Sequence, residues 1–287
     1  MSKARQIYYN AIFGAIGGLL GWLVVGSIST GTWNIWLAYA FVGAGVGLFI
    51  GGMTGAVEGV VIKGSVPRAA LGALAGAVAG LLSGLLGLLL GEAGFLLIGG
   101  GLVGRSLGWL LLGLFLGLGE GMISRSMRRS SYGAIGGTVA GVIGGIMYEG
   151  MTQAFLERSG TVQMVVGALG LILIGACLGS IIPLTIFVGA AKGTLHVLSG
   201  RKTDLEVAIV DAVILGSYDG CEVYLPGDPG IDKKHARIYR KGGQFFIEDL
   251  GSTAGVYING AHVAPGSTME IKKGAKIQLG STEVELG

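Results

Sequence analysis

Residues 71–87 read LGALAGAVAGLLSGLLG. Glycine recurs at Gly72, Gly76, Gly80 and Gly84, and no charge interrupts the run. Residues four apart lie on one face of an α-helix. In lipid, a face of small residues lets two helix backbones approach closely and gain dispersion contacts. The stretch therefore reads as a membrane helix with a glycine packing face. Working outward, Phe13–Gly18 (FGAIGG) and Tyr132–Gly137 (YGAIGG) begin in the same way as Leu71–Gly76. The third run continues through Gly133, Gly137, Gly141 and Gly145. An internal repeat of this kind sets the organisation of the chain. Each glycine helix is followed by a second apolar helix ending in a charged residue and Gly, at Glu58-Gly59, Glu120-Gly121 and Lys192-Gly193. The expected fold is thus a helical polytopic bundle of three tandem hairpins. About six spans are expected, near residues 7–28, 35–62, 69–90, 105–124, 132–154 and 177–198. Residues 95–104 and 162–176 are apolar but unplaced, either re-entrant or extending the helices. Pro183 would kink a long helix through residues 162–198, which leaves seven or eight spans as the alternative count.

Composition supports this reading. Of 287 residues 58 are Gly, 51% are hydrophobic and 13% charged, and the sequence pI is 8.8 with mean hydropathy +0.71. Soluble domains are closer to 25% charged, so an ordinary soluble enzyme over the whole length is excluded. Collagen is excluded by the missing three-residue period, and a disordered tract by the apolar content. The chain is also two-part. Residues 1–203 hold 45 Gly and a net charge of +7, and residues 204–287 hold 13 Gly and a net of −4. The expected domains are therefore a transmembrane helical domain at 1–203 and a second domain at 204–287. The overall basic balance belongs to the membrane part, so it does not point to nucleic acid.

Basic residues set orientation. With six spans, Lys3, Arg5, Lys63, Arg68, Arg125, Arg128, Arg129, Arg201 and Lys202 fall on one side, and Glu92, Glu157 and Arg158, with Arg105 as a further candidate, on the other. Both termini are then expected on the cytoplasmic side of a cytoplasmic (inner) membrane. A cleaved signal peptide is the competing reading of the first apolar run, but no A-x-A site follows it. Glu58, Glu120, Glu149 and Lys192 are the charged candidates within spans. Glu58, Glu120 and Lys192 lie near helix ends, where long side chains reach water, and interfacial anchoring is the expected role of all four. His196 follows Lys192 by one turn and is read as an interface residue. The glycine face, including Gly72, Gly76, Gly80, Gly133, Gly137 and Gly141, is expected to pack helices, within one chain or in a homo-oligomer.

Two motifs are set aside. Gly99, Gly101 and Gly104 fit a dinucleotide fingerprint, and Gly99 to Ser106 nearly fits a phosphate loop, but neither follows a strand. Cys177 and Cys221 fall in different domains and are not expected to pair, and no Cys/His cluster has metal spacing. No metal or cofactor is expected.

From Leu205 the pattern changes to short strands separated by turns. Candidate strands are 206–209, 212–215, 222–225, 236–239, 245–248, 255–258, 268–271, 276–279 and 282–286. Gly242-Gly243 and Asn259-Gly260 read as hairpin turns. So many strands in so few residues make a β-sandwich. Four segments carry a resemblance: Ile214-Leu215-Gly216-Ser217, Lys233-Lys234-His235-Ala236-Arg237-Ile238, residues 248–260 (EDLGSTAGVYING), and Lys276-Ile277-Gln278-Leu279-Gly280. In order and spacing they resemble a forkhead-associated (FHA) domain. The resemblance implies an eleven-stranded sandwich whose end loops usually hold a phosphothreonine peptide.

The ligand-loop positions depart from that family. Ser217 stands where the family has an Arg, Asp232 where it has the phosphate-binding Ser, and Ala254 where it has the peptide-holding Asn. Lys233 and Thr253 remain near the ligand position. Gly216, His235, Ser252, Gly255 and Asn259 match structural positions, and His235 is implied to brace the loops. A phosphothreonine carries about −1.5 to −2 charges and needs charge-assisted donors. A carboxylate at the phosphate position opposes it, so ordinary phosphothreonine recognition is not expected.

The functional expectation is a membrane-anchored scaffold whose cytoplasmic FHA-like domain docks a protein partner. The alternative is a channel or transporter formed by the glycine-rich bundle and regulated by that domain. No nucleophile–base pair, metal cluster or credible phosphate loop points to an enzyme.

Overall fold

The computed structural model describes residues 1–98, 101–124, 126–155, 157–190 and 193–287, without the side chains of 101–103 and 120–124. The charged candidates Glu120 (side chain) and Lys192, and also Gly99 and Arg125, lie outside the described residues. The chain forms two compact units. One is Ile7–Ile186; the other joins Met1–Gln6 to Phe187–Gly287.

Among the described residues, six α-helices precede the strands: α1 (Lys3–Gly26), α2 (Ile35–Val57), α3 (Val66–Ile98), α4 (Gly101–Ser124), α5 (Met127–Ala154) and α6 (Gly160–Gly189). Side chains cap two of them, as orphan N–H groups at helix starts require. The Asn34 side chain accepts from Trp36 N at 2.9 Å, and Ser126 Oγ accepts from Arg129 N at 3.0 Å. A π-helical segment, Glu58–Lys63, extends α2 and stops at Gly64, whose φ of +65° favours glycine. Among the described residues, four helical stretches are long and apolar enough to cross a membrane: Lys3–Gly26, Ile35–Lys63, Val66–Ile98 and Gly160–Gly189. α4 holds a shorter apolar stretch, Gly104–Gly119, and α5 is the least apolar of the six.

Two expected boundaries move. α3 runs on to Ile98 instead of ending near residue 90, because nothing between Leu90 and Ile98 breaks a helix. α6 begins at Gly160 and ends at Gly189, so residues 162–176 belong to the helix expected at 177–198. The unplaced apolar segments thus lengthen helices at residues 95–98 and 162–176. Pro183 sits inside α6.

The glycine faces meet backbone to backbone. A Cβ on Gly43, Gly47, Gly51 or Gly55 of α2 would fall on the carbonyl oxygen of Gly84, Gly80, Gly76 or Gly72 of α3, respectively. The same holds for Gly113 and Gly117 of α4 against Gly137 and Gly133 of α5, and for Gly14 of α1 against Gly175 of α6. These pairs do not lie within the expected hairpins. They join the second helix of one hairpin to the first of the next, and α6 back to α1. The remaining neighbours also touch. Gly21 of α1 faces Val46 of α2, Gly91 of α3 faces Gly108 of α4, and Gly144 of α5 faces Ile174 of α6. Consecutive helices therefore close into a ring. A cavity of about 40 Å³ lies among α1, α2, α3, α4 and α6, with Asn10 and Thr54 as its polar lining.

Among the described residues, eleven strands follow: β1 (Thr194–Val197), β2 (Glu206–Ala208), β3 (Ala212–Gly216), β4 (Val223–Tyr224), β5 (Ala236–Lys241), β6 (Gln244–Asp249), β7 (Val256–Ile258), β8 (Ala261–Val263), β9 (Thr268–Ile271), β10 (Lys276–Leu279) and β11 (Thr282–Leu286). One sheet has the order β2-β1-β11-β10-β7-β8, the other β4-β3-β5-β6-β9. Alternating side chains turn inward, as a sandwich requires. Leu195, Leu215, Ile238, Ile247, Ile277 and Leu286 are fully buried. β1 is a correction to the expected last span, which covered these residues. Leu195 pairs with Leu286 of β11 and with Val207 of β2, so the segment is the second strand of a sheet. The sandwich also gains the chain start. Met1 O accepts from Glu206 N at 3.2 Å, and Gln6 Nε2 donates to Glu206 O at 2.7 Å. Residues 1–6 thereby satisfy polar groups on β2, the edge strand of its sheet.

Candidate functional site

The resemblance directs attention to the loops after β3, before β5 and between β6 and β7. The close turn after β3 needs Gly216, because a Cβ there would meet the Lys233 carbonyl oxygen. Ser217 N then donates to Asp232 O at 2.9 Å, and Tyr218 N to Lys233 O at 3.3 Å. Cys221, 1% exposed, donates from Sγ to the same Lys233 carbonyl at 3.2 Å. The loop before β5 is therefore fixed from one side by the loop after β3.

His235 fixes it from the other side. The ring is fully buried. Its Nδ1 accepts from Asp232 N at 3.2 Å. Nε2 therefore carries the proton and donates to Gly255 O at 3.1 Å. The imidazole thus joins the loop before β5 to the loop before β7. That second loop is shaped by Asp249, whose Oδ1 accepts from Gly251 N (3.0 Å) and Ser252 N (2.7 Å). Ser252 Oγ is buried without a hydrogen-bond partner among the described residues. Gly255 takes a φ of +76°. Asn259 sits at the β7–β8 turn with φ +49° and accepts from Lys276 N at 3.0 Å.

Asp232 is the decisive residue of the site. Its Oδ2 accepts from Thr253 N at 2.6 Å, and its Oδ1 lies 3.3 Å from Thr253 Oγ1, which donates to it. The Thr253 N–H and Oγ1–H are thus satisfied by a carboxylate from the same chain. Lys233 and Lys234 are exposed beside it, and Ala254 has no polar side chain to offer. The Thr253 N–H holds the Asp232 carboxyl below its ordinary value of 3.8. A carboxyl whose pKa is lowered by folding stabilises the fold above its unfolded value and loses that contribution as pH falls through the folded one. The Asp232–Thr253 contact should therefore be complete above about pH 4 and fade below the folded value. NMR of the Thr253 amide will check this. Its shift should titrate at acid pH in the native protein, and the Asp232→Asn variant should flatten that titration.

Asp228, which no motif singled out, ties two further loops together. It accepts from Gly230 N (2.9 Å), from Ser281 N and Oγ (2.8 Å each) and from Thr282 Oγ1 (3.0 Å). The only sequence cue was an Asp beside Pro and Gly in a turn.

The charged candidates in the helical unit fall differently. Glu58 pairs with Lys63 at 2.7 Å across the π-helical segment, with its own side chain 55% exposed. Glu149 is 9% exposed and faces Trp109 of α4. Glu92, expected in a loop, is on α3 and 5% exposed. The unbroken apolar run on both sides of it was the available signal.

Residues 213–280 match the FHA domain family model, and no family model matches the helical region. The C-terminal sandwich is an FHA domain. Among curated proteins, the chain is 30% identical over 93 residues to the FHA domain-containing protein FhaB of Mycobacterium tuberculosis, covering 32% of this chain and 58% of that protein. It is 34% identical over 74 residues to FhaB of Mycolicibacterium smegmatis, covering 26% and 46%. The chain thus spans about half the length of these relatives. Among solved structures, the FhaA FHA domain complexed with the intracellular domain of Rv3910 is 25% identical, covering 33% of this chain and 99% of that one, at a TM-score of 0.30. The FHA domain of an Arabidopsis thaliana hypothetical protein is 26% identical, covering 33% and 83%, at a TM-score of 0.31.

Proposed function

We propose that this protein is a membrane-anchored adaptor whose FHA domain docks a protein partner on the cytoplasmic side without requiring phosphothreonine. The FHA family is one of interaction modules, and the helices supply four stretches of membrane-crossing length and hydropathy. The observation that carries the reading is the Asp232–Thr253 contact. A phosphate arriving there must displace a carboxylate from its donors and then sit beside it. Like charges a few Å apart repel, and Ser217, where the family has an Arg, offers no guanidinium fork to offset that. Docking then falls to the loop surface bearing Tyr218, Lys233, Lys234 and Leu250, all exposed. The basic residues between the apolar stretches support a cytoplasmic position for both termini. Crosslinking the full chain to its partners before and after phosphatase treatment of the extract tests the reading. The captured set should not change, and loss of every partner on dephosphorylation would overturn it.

A second reading, a channel or transporter, is favoured by the cavity among α1, α2, α3, α4 and α6. Ion and solute flux into liposomes holding the protein would separate it from a pure scaffold.

A further inference from the structure

The cavity of about 40 Å³ lies within the helical unit, among α1, α2, α3, α4 and α6. Small residues leave the room for it, since Gly51, Gly76, Ala79 and Gly119 line it with a methyl group or less. Its polar groups come from three helices: Asn10 on α1, Thr54 on α2 and the backbone of Gly179 on α6. Thr54 Oγ1 spends its single proton on the Ile50 carbonyl oxygen of its own helix, at 2.9 Å. Its lone pairs can still accept. Pro183 lines the same cavity. Proline has no N–H, so the Gly179 carbonyl, four residues earlier, loses its α-helical donor. Among the described residues, no side chain and no other helix donates to that carbonyl. A Cβ at Gly179 would meet the Asn10 carbonyl oxygen, so α6 lies close against α1 at this level.

Size and chemistry together specify a solute. One water needs roughly 10–15 Å³ of such space, so the cavity takes roughly three or four non-hydrogen atoms. Thr54 and Gly179 offer acceptors, so the solute should bring N–H or O–H donors. It should also be uncharged. Among the described residues, no charged side chain lines the cavity. Burying an ion without a counter-charge is far costlier than burying a neutral group that finds hydrogen bonds. We propose, on the channel or transporter reading, that this cavity is the selectivity site: it admits small uncharged hydrogen-bond donors and rejects ions. Thr54 Oγ1 and the Gly179 carbonyl accept from the solute, and the Asn10 amide supplies a group of both kinds.

The test is stopped-flow light scattering of liposomes holding the full chain, challenged with urea. Urea is uncharged, rich in N–H donors and of the right size. Re-swelling should be several-fold faster than in empty liposomes, with no potassium flux under a potassium gradient. Thr54→Val keeps the shape and removes the hydroxyl, and it should slow urea entry about fivefold, the scale of one hydrogen bond. Thr54→Ser keeps the hydroxyl and should retain the native rate. Pro183→Ala restores an N–H for the Gly179 carbonyl while widening the cavity. The proposal expects it to slow urea, whereas a site set by size alone would speed it. Both substitutions are mild, and size exclusion checks that each variant keeps its fold. Potassium flux without urea flux would overturn the proposal and leave the transport reading standing. Flux of neither would overturn both. Urea flux that Thr54→Val and Pro183→Ala leave unchanged or speed would overturn the assignment of the site.

Discussion

Gly47→Leu is expected to abolish the folded helical unit. A Cβ on Gly47 would overlap the carbonyl oxygen of Gly80, and a Cβ on Gly80 would overlap that of Gly47. Backbone cannot rotate aside as a side chain does. α2 and α3 would have to separate, and the flanking contacts at Gly43–Gly84 and Gly51–Gly76 would open with them. Overpacking a side-chain core costs about 1–3 kcal/mol. Here dispersion is also lost along the whole helix pair, so the cost should exceed that range. The detergent-solubilised variant should aggregate or elute as a broad species in fluorescence-detected size exclusion. Gly150→Leu is the matched control, since nothing lies within 4 Å of the added Cβ. That variant should match the native profile, because leucine is the better helix former.

Removing β1 should unfold the FHA domain. A fragment beginning at residue 204, the boundary that composition suggests, lacks Leu195 and Val197, which are 0% and 1% exposed. Losing two buried aliphatic side chains forfeits about 3–6 kcal/mol, a large share of the 5–15 kcal/mol that stabilises a typical domain. It also leaves β2 without its neighbour and bares the edge of β11. Fragment 187–287 should give a dispersed amide NMR spectrum and a cooperative melt. Fragment 204–287 should give a collapsed spectrum or precipitate. Equal spectra and equal midpoints from the two fragments would contradict the role assigned to β1.

The sequence was most legible where local chemistry sets local structure. Thr268–Ile271, Lys276–Leu279 and Thr282–Leu286 form strands at the expected residues, because turn glycines bracket them. The loops of the FHA domain were legible for the same reason, as Gly216 and Gly255 stand where backbone must pass close or turn left-handed. β1 was hidden because Thr194-Leu195-His196-Val197 prolongs an apolar run, and hydropathy alone does not separate a helix end from a buried strand. Helix pairing was hidden too. Four-residue glycine spacing marks a face but not its partner, and the partner of α2 is α3 and that of α4 is α5. The Asp232–Thr253 contact was legible only in part. The sequence showed an acid where the resemblance puts a serine, whereas the closure of the loop by 2.6 Å and 3.3 Å hydrogen bonds depends on the fold that brings Asp232 to Thr253.

The most direct test of the account is a calorimetric titration of the full chain in detergent with phosphothreonine peptides and their dephosphorylated counterparts. Asp232 already holds Thr253 N–H and Oγ1–H, so the account predicts no binding that depends on the phosphate. Micromolar binding that disappears on dephosphorylation would contradict it.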